Sequence, residues 1–328
     1  MTKHFDRNVL AIDAAAEIER IATAMREMLT RRLRRRGLVV GISGGIDSAV
    51  CAALCVRAVG PQKVLGLLMP ETDSSSATTP RGQLVADSLG IQCVTEDIAG
   101  TLQAIGCYAR RDAAIRQVFP DYDGRWPHKL VIRGGSDGRV NHFALVVQTP
   151  DGSEVEARLP LDAYLQIVAA TNFKQRVRKT LEYYHADRLN YAVIGTPNRL
   201  EYDQGFFVKN GDGAADLKPI AHLYKTQVYA LAEHLGIPEE VRRAAPTTDT
   251  YSLAQGQDEF YFALPYAQMD LALWAVDHGF DAVALAAAIG LTTAQAEHVY
   301  ADIAAKRRTT AYQHLKSLLV EPVASVAS

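Results

Sequence analysis

Net charge, long apolar runs and cysteine are all scarce in this chain of 328 residues. The 35 basic and 37 acidic side chains leave a formal charge of −2, which excludes the broad basic footprint of a nucleic-acid or membrane-surface binder. No apolar run approaches the roughly 20 residues that cross a bilayer, and the polar start from Met1 to Arg7 lacks the features of a signal peptide. The four cysteines, Cys51, Cys55, Cys93 and Cys107, lie in or beside apolar runs. No His or Cys near Cys51 and Cys55 completes a metal set, so all four read as small core hydrophobes in a reducing, cytoplasmic compartment. Internal repeats and low-complexity tracts are also absent. Apolar residues make up 48% of the chain, enough for the sizeable core of one domain over 1–328.

The periodicities predict an α/β fold, a doubly wound parallel sheet with flanking helices. Apolar residues from Leu10 to Leu29 recur at helical spacing and predict one amphipathic helix over 9–36, ending in the basic run Arg31 to Arg36 with Gly37 as terminator. Leu38–Ile42 and Val64–Met69 are short apolar runs that suit strands buried on both faces. Ile91–Thr95 and Tyr191–Gly195 read as two further strands, with helices over 48–59, within 76–89 and over 173–189 between them. Residues 106–165 break this rhythm. They carry three strand-like runs around Leu130, Phe143–Thr149 and Glu154–Leu159, with a Pro150–Ser153 turn, and read as an inserted β element. From about 258 onward the chain reads as mostly helical.

The chemistry is concentrated in Gly41-Ile42-Ser43-Gly44-Gly45-Ile46-Asp47-Ser48, between the first strand and the next helix. Such a turn offers free backbone N–H groups and the positive end of a helix dipole, which together bind phosphate. Asp47 beside phosphates implies an intervening Mg²⁺. The lysine of G-x-x-x-x-G-K-[ST] is missing, and the segment is not G-x-G-x-x-G either.

Ser43-Gly44-Gly45-Ile46-Asp47-Ser48 resembles the S-G-G-x-D-S loop of the N-type ATP pyrophosphatases, which adenylate a carbonyl or carboxylate and release pyrophosphate. Residues 195–225, from Gly195-Thr196 through Glu201, Gly205-Phe206-Phe207, Lys209, Gly211-Asp212-Gly213 and Asp216 to Lys225, are similar to the NAD synthetase pattern. So are Asn172-x-Lys174-x-Arg176-x-Arg178, Ala245-Pro246-Thr247, and the Asp258-Glu259, Tyr266 and Asp270 stretch.

That resemblance implies roles for particular residues. Residues 41–48, Met69, Thr196, Lys225 and Thr247 are expected to hold ATP, with Asp47, Lys225 and Thr247 closest to the chemistry. Asp47 and Glu201 are the implied Mg²⁺ ligands. Arg176, Phe206, Phe207, Lys209, Asp216 and Lys306 are the implied contacts to deamido-NAD or another carboxylate acceptor. The loop from Thr247 to Gln257 is a candidate lid. The implied product is an amide formed through an acyl-adenylate. Residues 1–37 leave no space for the amidase domain that glutamine-dependent relatives carry before the first strand, so free ammonia, or ammonia from a separate protein, is the expected nitrogen donor. The family's synthetases are typically homodimers. Three features depart from the family pattern: the insertion, Ala305 where a His often precedes Lys-Arg, and the polar run Glu201-Tyr202-Asp203-Gln204.

Overall fold

The computed structural model describes residues 5–133, 142–245, 251–253, 261, 264–321 and 323. Four parallel strands form the central sheet: β1 (Leu38–Gly41), β2 (Val64–Leu68), β3 (Gln92–Thr95) and β7 (Ala192–Ile194), in the order β3-β2-β1-β7. Alternate side chains face opposite layers. Leu38 and Val40 pack among α1 (Ala14–Glu27), α2 (Ile46–Val59) and α8 (Lys225–His234), with Val64 and Leu68 on the same side. Val39, Leu65, Leu67 and Val193 pack on the other side beneath Ala186 of α6 (Leu161–Leu189). Burial on both faces explains why the strands read as continuous apolar runs rather than alternating ones.

The chain moves outward from β1 to β2 and β3, then returns to place β7 on the other side of β1. That reversal is a topological switch point, and the crevice beyond the strand ends there is where such sheets bind ligands. The loops leaving β1 and β7 meet at this crevice.

The element boundaries differ from the expectations in informative ways. The predicted helix over 9–36 is three pieces. A 3₁₀ turn spans Arg7–Leu10, Asp13 caps α1 by accepting from the Ala16 N–H at 3.0 Å, and a wider π-type turn spans Met28–Leu33. The helix stops at Arg34, whose φ of 53° is left-handed, and not at Gly37. Gly37 serves packing instead. A Cβ there would stand 2.5 Å from the Lys63 carbonyl oxygen and 2.5 Å from the Tyr191 ring.

The inserted element is shorter than 106–165. Its first part, Cys107–Arg116, is helix α5, and its last residues already belong to α6. Ala163, Ile167, Ala170, Thr171 and Lys174 are buried at helical spacing, so the signal for the long helix begins well before residue 173. Between α5 and α6 lies an antiparallel sheet of β4 (His128–Arg133), β5 (His142–Gln148) and β6 (Glu154–Arg158), as expected. Its inner face packs on α5 and α6 through Leu130, Leu145 and Val147. The C-terminal helices Tyr266–Asp277, Ala282–Ile289 and Thr293–Thr310 form a separate apolar cluster that also takes in Leu10 and Leu200. Among the described residues, no helix is long and apolar enough to cross a membrane.

Candidate active site

β1 ends at Gly41 and α2 begins at Ile46, so the glycine-rich turn sits on the N-terminus of α2 with Asp47 and Ser48 in the first helical turn. Gly44 has φ of 72°, and a Cβ there would lie 2.6 Å from the Thr78 carbonyl oxygen. The turn closes on itself through its hydroxyls. The Ser43 N–H donates to Ser48 Oγ at 3.2 Å, and Ser48 Oγ donates to the Gly45 carbonyl at 3.0 Å. This leaves a shallow cup at the positive end of a helix, a geometry suited to phosphate oxygens.

Asp47 is held from two sides. Lys225 donates to its Oδ2, and Asn198 donates through Nδ2 to its Oδ1 at 3.1 Å. Lys225 is buried at the start of α8. Asp270 caps that start, accepting the Lys225 N–H at 3.2 Å and the Thr226 N–H at 2.8 Å. The Tyr266 ring lies 5.3 Å from the Lys225 ammonium, a cation–π contact. The motif residues Tyr266 and Asp270 therefore position Lys225. Burial works against the ammonium, but Asp47 and Glu201 outweigh it and raise its pKa. Burial pushes the Asp270 carboxyl up to about 6, with the two N–H donors opposing the shift.

Asn198 also caps α7 (Arg199–Gln204) in a reciprocal box. The Glu201 N–H donates to Asn198 Oδ1 at 3.2 Å, and the Asn198 N–H donates to Glu201 Oε2 at 3.1 Å. One buried asparagine thus links both carboxylates that the family resemblance assigns to metal binding. Burial, and then the Asp47 charge, push Glu201 up to about 8. Sequence reasoning missed Asn198, although Asn-x-x-Glu ahead of a helix is a readable capping signal.

A cavity of about 680 Å³ opens at the switch point. It is lined by residues 41–48, Met69, Thr196, Glu201, Phe206, Phe207, Lys225 and Lys306, all expected at the site. Lys306 donates to Asp302 at 2.6 Å and to the Tyr261 carbonyl at 2.5 Å, and burial lowers its pKa. Lys174 also borders the cavity but is committed to Glu71 at 3.0 Å and Asp73 at 2.6 Å. Burial opposes the Asp73 charge, but Lys174 and Arg111 outweigh it and lower its pKa. This buried cluster ties the loop after β2 to α5 and α6.

Three of the expected acceptor contacts are not among the cavity-lining residues. Arg176 is exposed and donates to the Lys209 carbonyl at 3.3 Å. Lys209 donates to the Tyr312 carbonyl at 2.8 Å. Asp216 accepts the Val193 N–H at 2.7 Å and the Tyr183 hydroxyl at 3.3 Å, so both of its oxygens have partners within the chain. Thr247, and the Asp258-Glu259 pair, lie outside the described residues. Of the candidate lid, 251–253 are described, and Tyr251 lines the cavity.

A family model described as NAD synthase matches residues 17–118 and 153–310. The chain belongs to the NAD synthase family. The NH(3)-dependent NAD(+) synthetase of Rhizobium meliloti (strain 1021) is 59% identical over 323 residues, 98% of this chain and 96% of that protein. Two solved structures share the fold. An NMN synthetase from Francisella tularensis aligns with a TM-score of 0.66 at 20% identity, over 94% of this chain and 99% of its own. An NH3-dependent NAD synthetase from Campylobacter jejuni aligns with a TM-score of 0.61 at 23% identity, over 94% and 100%. The family match omits 119–152, the segment that holds β4 and β5, whereas the Rhizobium meliloti relative spans nearly the whole chain.

Proposed function

We propose that this chain is an ammonia-dependent NAD synthetase, which amidates the nicotinate carboxylate of deamido-NAD with ATP as co-substrate. The observation that carries this reading is the joining of the pyrophosphatase-type loop, Asp47, Glu201 and Lys225 in one cavity at the switch point of an NAD synthase fold. In the first step a nicotinate oxygen attacks the α-phosphorus of ATP, the bond to the β-phosphate oxygen breaks, and pyrophosphate leaves. Ammonia then attacks the acyl carbon and AMP departs with the carboxylate oxygen. The cup at residues 43–48 holds the departing pyrophosphate through backbone N–H groups and the α2 dipole. Lys225, fixed by Asp47 and Asp270, places a positive charge where phosphate charge accumulates.

Asp47 and Glu201 suit a Mg²⁺ ion. Both offer hard oxygen ligands, and Asn198 holds the two side chains side by side at the glycine-rich turn; burial first, and then the Asp47 charge, push Glu201 upward. Bound there, the ion would screen the negative charge of the triphosphate. Thr196, Met69 and Thr247 complete the ATP contacts in this reading, with Phe206, Phe207 and Lys306 on the acceptor side. Arg176 and Lys209 lie outside the cavity of their own chain, which fits a homodimer in which the acceptor lies between two copies. Four unbridged thiols fit a reducing cytoplasm.

The test is direct. The purified protein is incubated with ATP, Mg²⁺, ammonium and deamido-NAD, and pyrophosphate and NAD are quantified. Equal amounts of both are expected. Pyrophosphate formation only with some other acid would overturn the acceptor assignment.

A further inference from the structure

The strands within the segment that the family match omits reach the catalytic cavity. Period-two alternation divides β4 and β5 into two faces. Leu130, Leu145 and Val147 pack on α5 and α6, while Val131, Ala144 and Val146 pack on the opposite side. Ile132 and Phe143 are cross-strand partners and continue the first face by one rung. Their rung borders the cavity rather than the core. Phe143 lies flat on Tyr164 of α6, with ring centroids 3.8 Å apart and planes 14° apart, and Tyr164 borders the same cavity. Neither ring is fully buried. The inserted sheet therefore presents an apolar, aromatic wall to an open site, a surface suited to a planar ring.

Helix α6 connects this wall to the phosphate cup. Glu182 stands beside Gly41, and Tyr164 lies eighteen positions earlier, about 27 Å of helix. Between them α6 lines the cavity with Arg178, Lys174 and then Thr171. Charge thus gives way to hydroxyl and then to aromatic surface with distance from the cup. Of the two substrates, the dinucleotide is the longer. It carries planar rings at both ends of a charged centre, and its greater length suits a wall that stands about 27 Å of helix away from the cup.

We propose that the inserted sheet, through Phe143 and Ile132 together with Tyr164, forms a stacking subsite for a heteroaromatic ring of the acceptor dinucleotide. This rests on the NAD synthetase reading above. The inserted segment then contributes substrate recognition through Phe143 and Ile132, which lie outside the family match, beside Tyr164, which lies within it.

Phe143→Leu and Tyr164→Leu keep apolar bulk and remove one ring each, while Phe143→Tyr keeps a ring. Equilibrium binding of deamido-NAD is measured for all three, with the KM values for deamido-NAD and ATP and the thermal midpoint. Each leucine variant should weaken binding of deamido-NAD and raise its KM by about tenfold, the scale of losing one stacked aromatic. Its KM for ATP and its kcat should stay within about twofold of wild type, and Phe143→Tyr should resemble wild type. Separate titrations with nicotinate mononucleotide and with AMP identify which ring the wall holds, as the weakened ligand. Unchanged binding of deamido-NAD in both leucine variants overturns the proposal. A rise in KM confined to ATP does so too, because the wall would then hold the base of ATP. If the wild type binds deamido-NAD without making NAD, the proposed function fails, and the binding comparison still decides the subsite.

Discussion

Lys225 at the start of α8 donates its ammonium to Asp47 at the start of α2, 178 positions earlier. The pair locks the first turns of two helices together beside the glycine-rich turn. Removing one member leaves the other charge poorly compensated in a buried place, where such losses are large. The pair is also cross-braced. Asn198 holds Asp47, and Asp270 holds the backbone of Lys225.

Asp47→Asn should therefore lower stability, with Glu201 still compensating part of the Lys225 charge so that the protein folds, and should sharply reduce pyrophosphate release. A fall in kcat on the order of 100-fold or more is expected from loss of a charged group at the phosphates. Circular dichroism and a pyrophosphate assay check the two parts. Normal turnover would remove Asp47 from the metal and phosphate assignment.

Gly44→Ala tests the shape of the cup. The backbone there is left-handed, and the added Cβ would collide with the Thr78 carbonyl. Strain of roughly 1–3 kcal/mol should appear as a lowered urea midpoint. ATP binding should weaken with it. An alanine variant as stable and active as wild type would contradict the packing of the turn against α3 (Thr78–Leu89).

Asp216 separates a structural role from a ligand role. Both its oxygens accept hydrogen bonds within the chain, one from the N–H of Val193 in β7. Asp216→Ala should cost about 2 kcal/mol of stability by leaving that N–H without its acceptor. Asp216→Asn should restore most of it. A denaturation series on the two variants checks this. An unchanged midpoint for the alanine variant would favour the acceptor-contact role that the family resemblance implies.

His128 sets an acid limit on stability. Burial, and then the Arg111 charge, push its imidazole down to about 3 from an ordinary value of 6.5. Its Nδ1 lies 3.1 Å from Ser252 Oγ and 3.2 Å from the Tyr122 hydroxyl. Below pH 6.5 the unfolded chain takes up a proton that the folded chain refuses. The stabilisation is complete above 6.5 and declines as pH falls towards 3, with a slope of up to about 1.4 kcal/mol per pH unit. His128→Gln should flatten the dependence of stability on pH between 6.5 and 4, whatever it does at neutral pH. An unaltered slope would place the titrating group elsewhere.

Much of the architecture follows from local pattern. The apolar strands, the glycine-rich turn on a helix start and the inserted hairpin around Pro150–Ser153 depend on periodicity and turn chemistry, which neighbours in sequence specify. The spaced motifs named residues 41–48, Thr196, Glu201 and Lys225, which line the cavity because the crevice is built from loops at the ends of strands, and also Arg176, Lys209 and Asp216, which do not line it. Local pattern placed other features less well. The start of α6 was hidden because residues 161–171 bury their apolar side against an inserted sheet that is distant in fold logic. Helix 9–36 was broken by Asp13 and Arg34, where a cap and a left-handed residue outweighed the apolar spacing.

By itself, the sequence stated the residue types behind the proposed chemistry: a glycine-rich turn with Asp47, a lysine at 225 and an acid at 201. These are choices of residue type, and type is what a sequence states. Only the tertiary structure decided which of them meet. It joined Asp47 to Lys225 through side chains that span the crevice, set Asn198 between two carboxylates, and committed Asp216 to the N–H of β7. It also brought Phe143 to the cavity. Those outcomes depend on long-range packing of α6, α8 and the inserted sheet, where distance along the chain says little about distance in space.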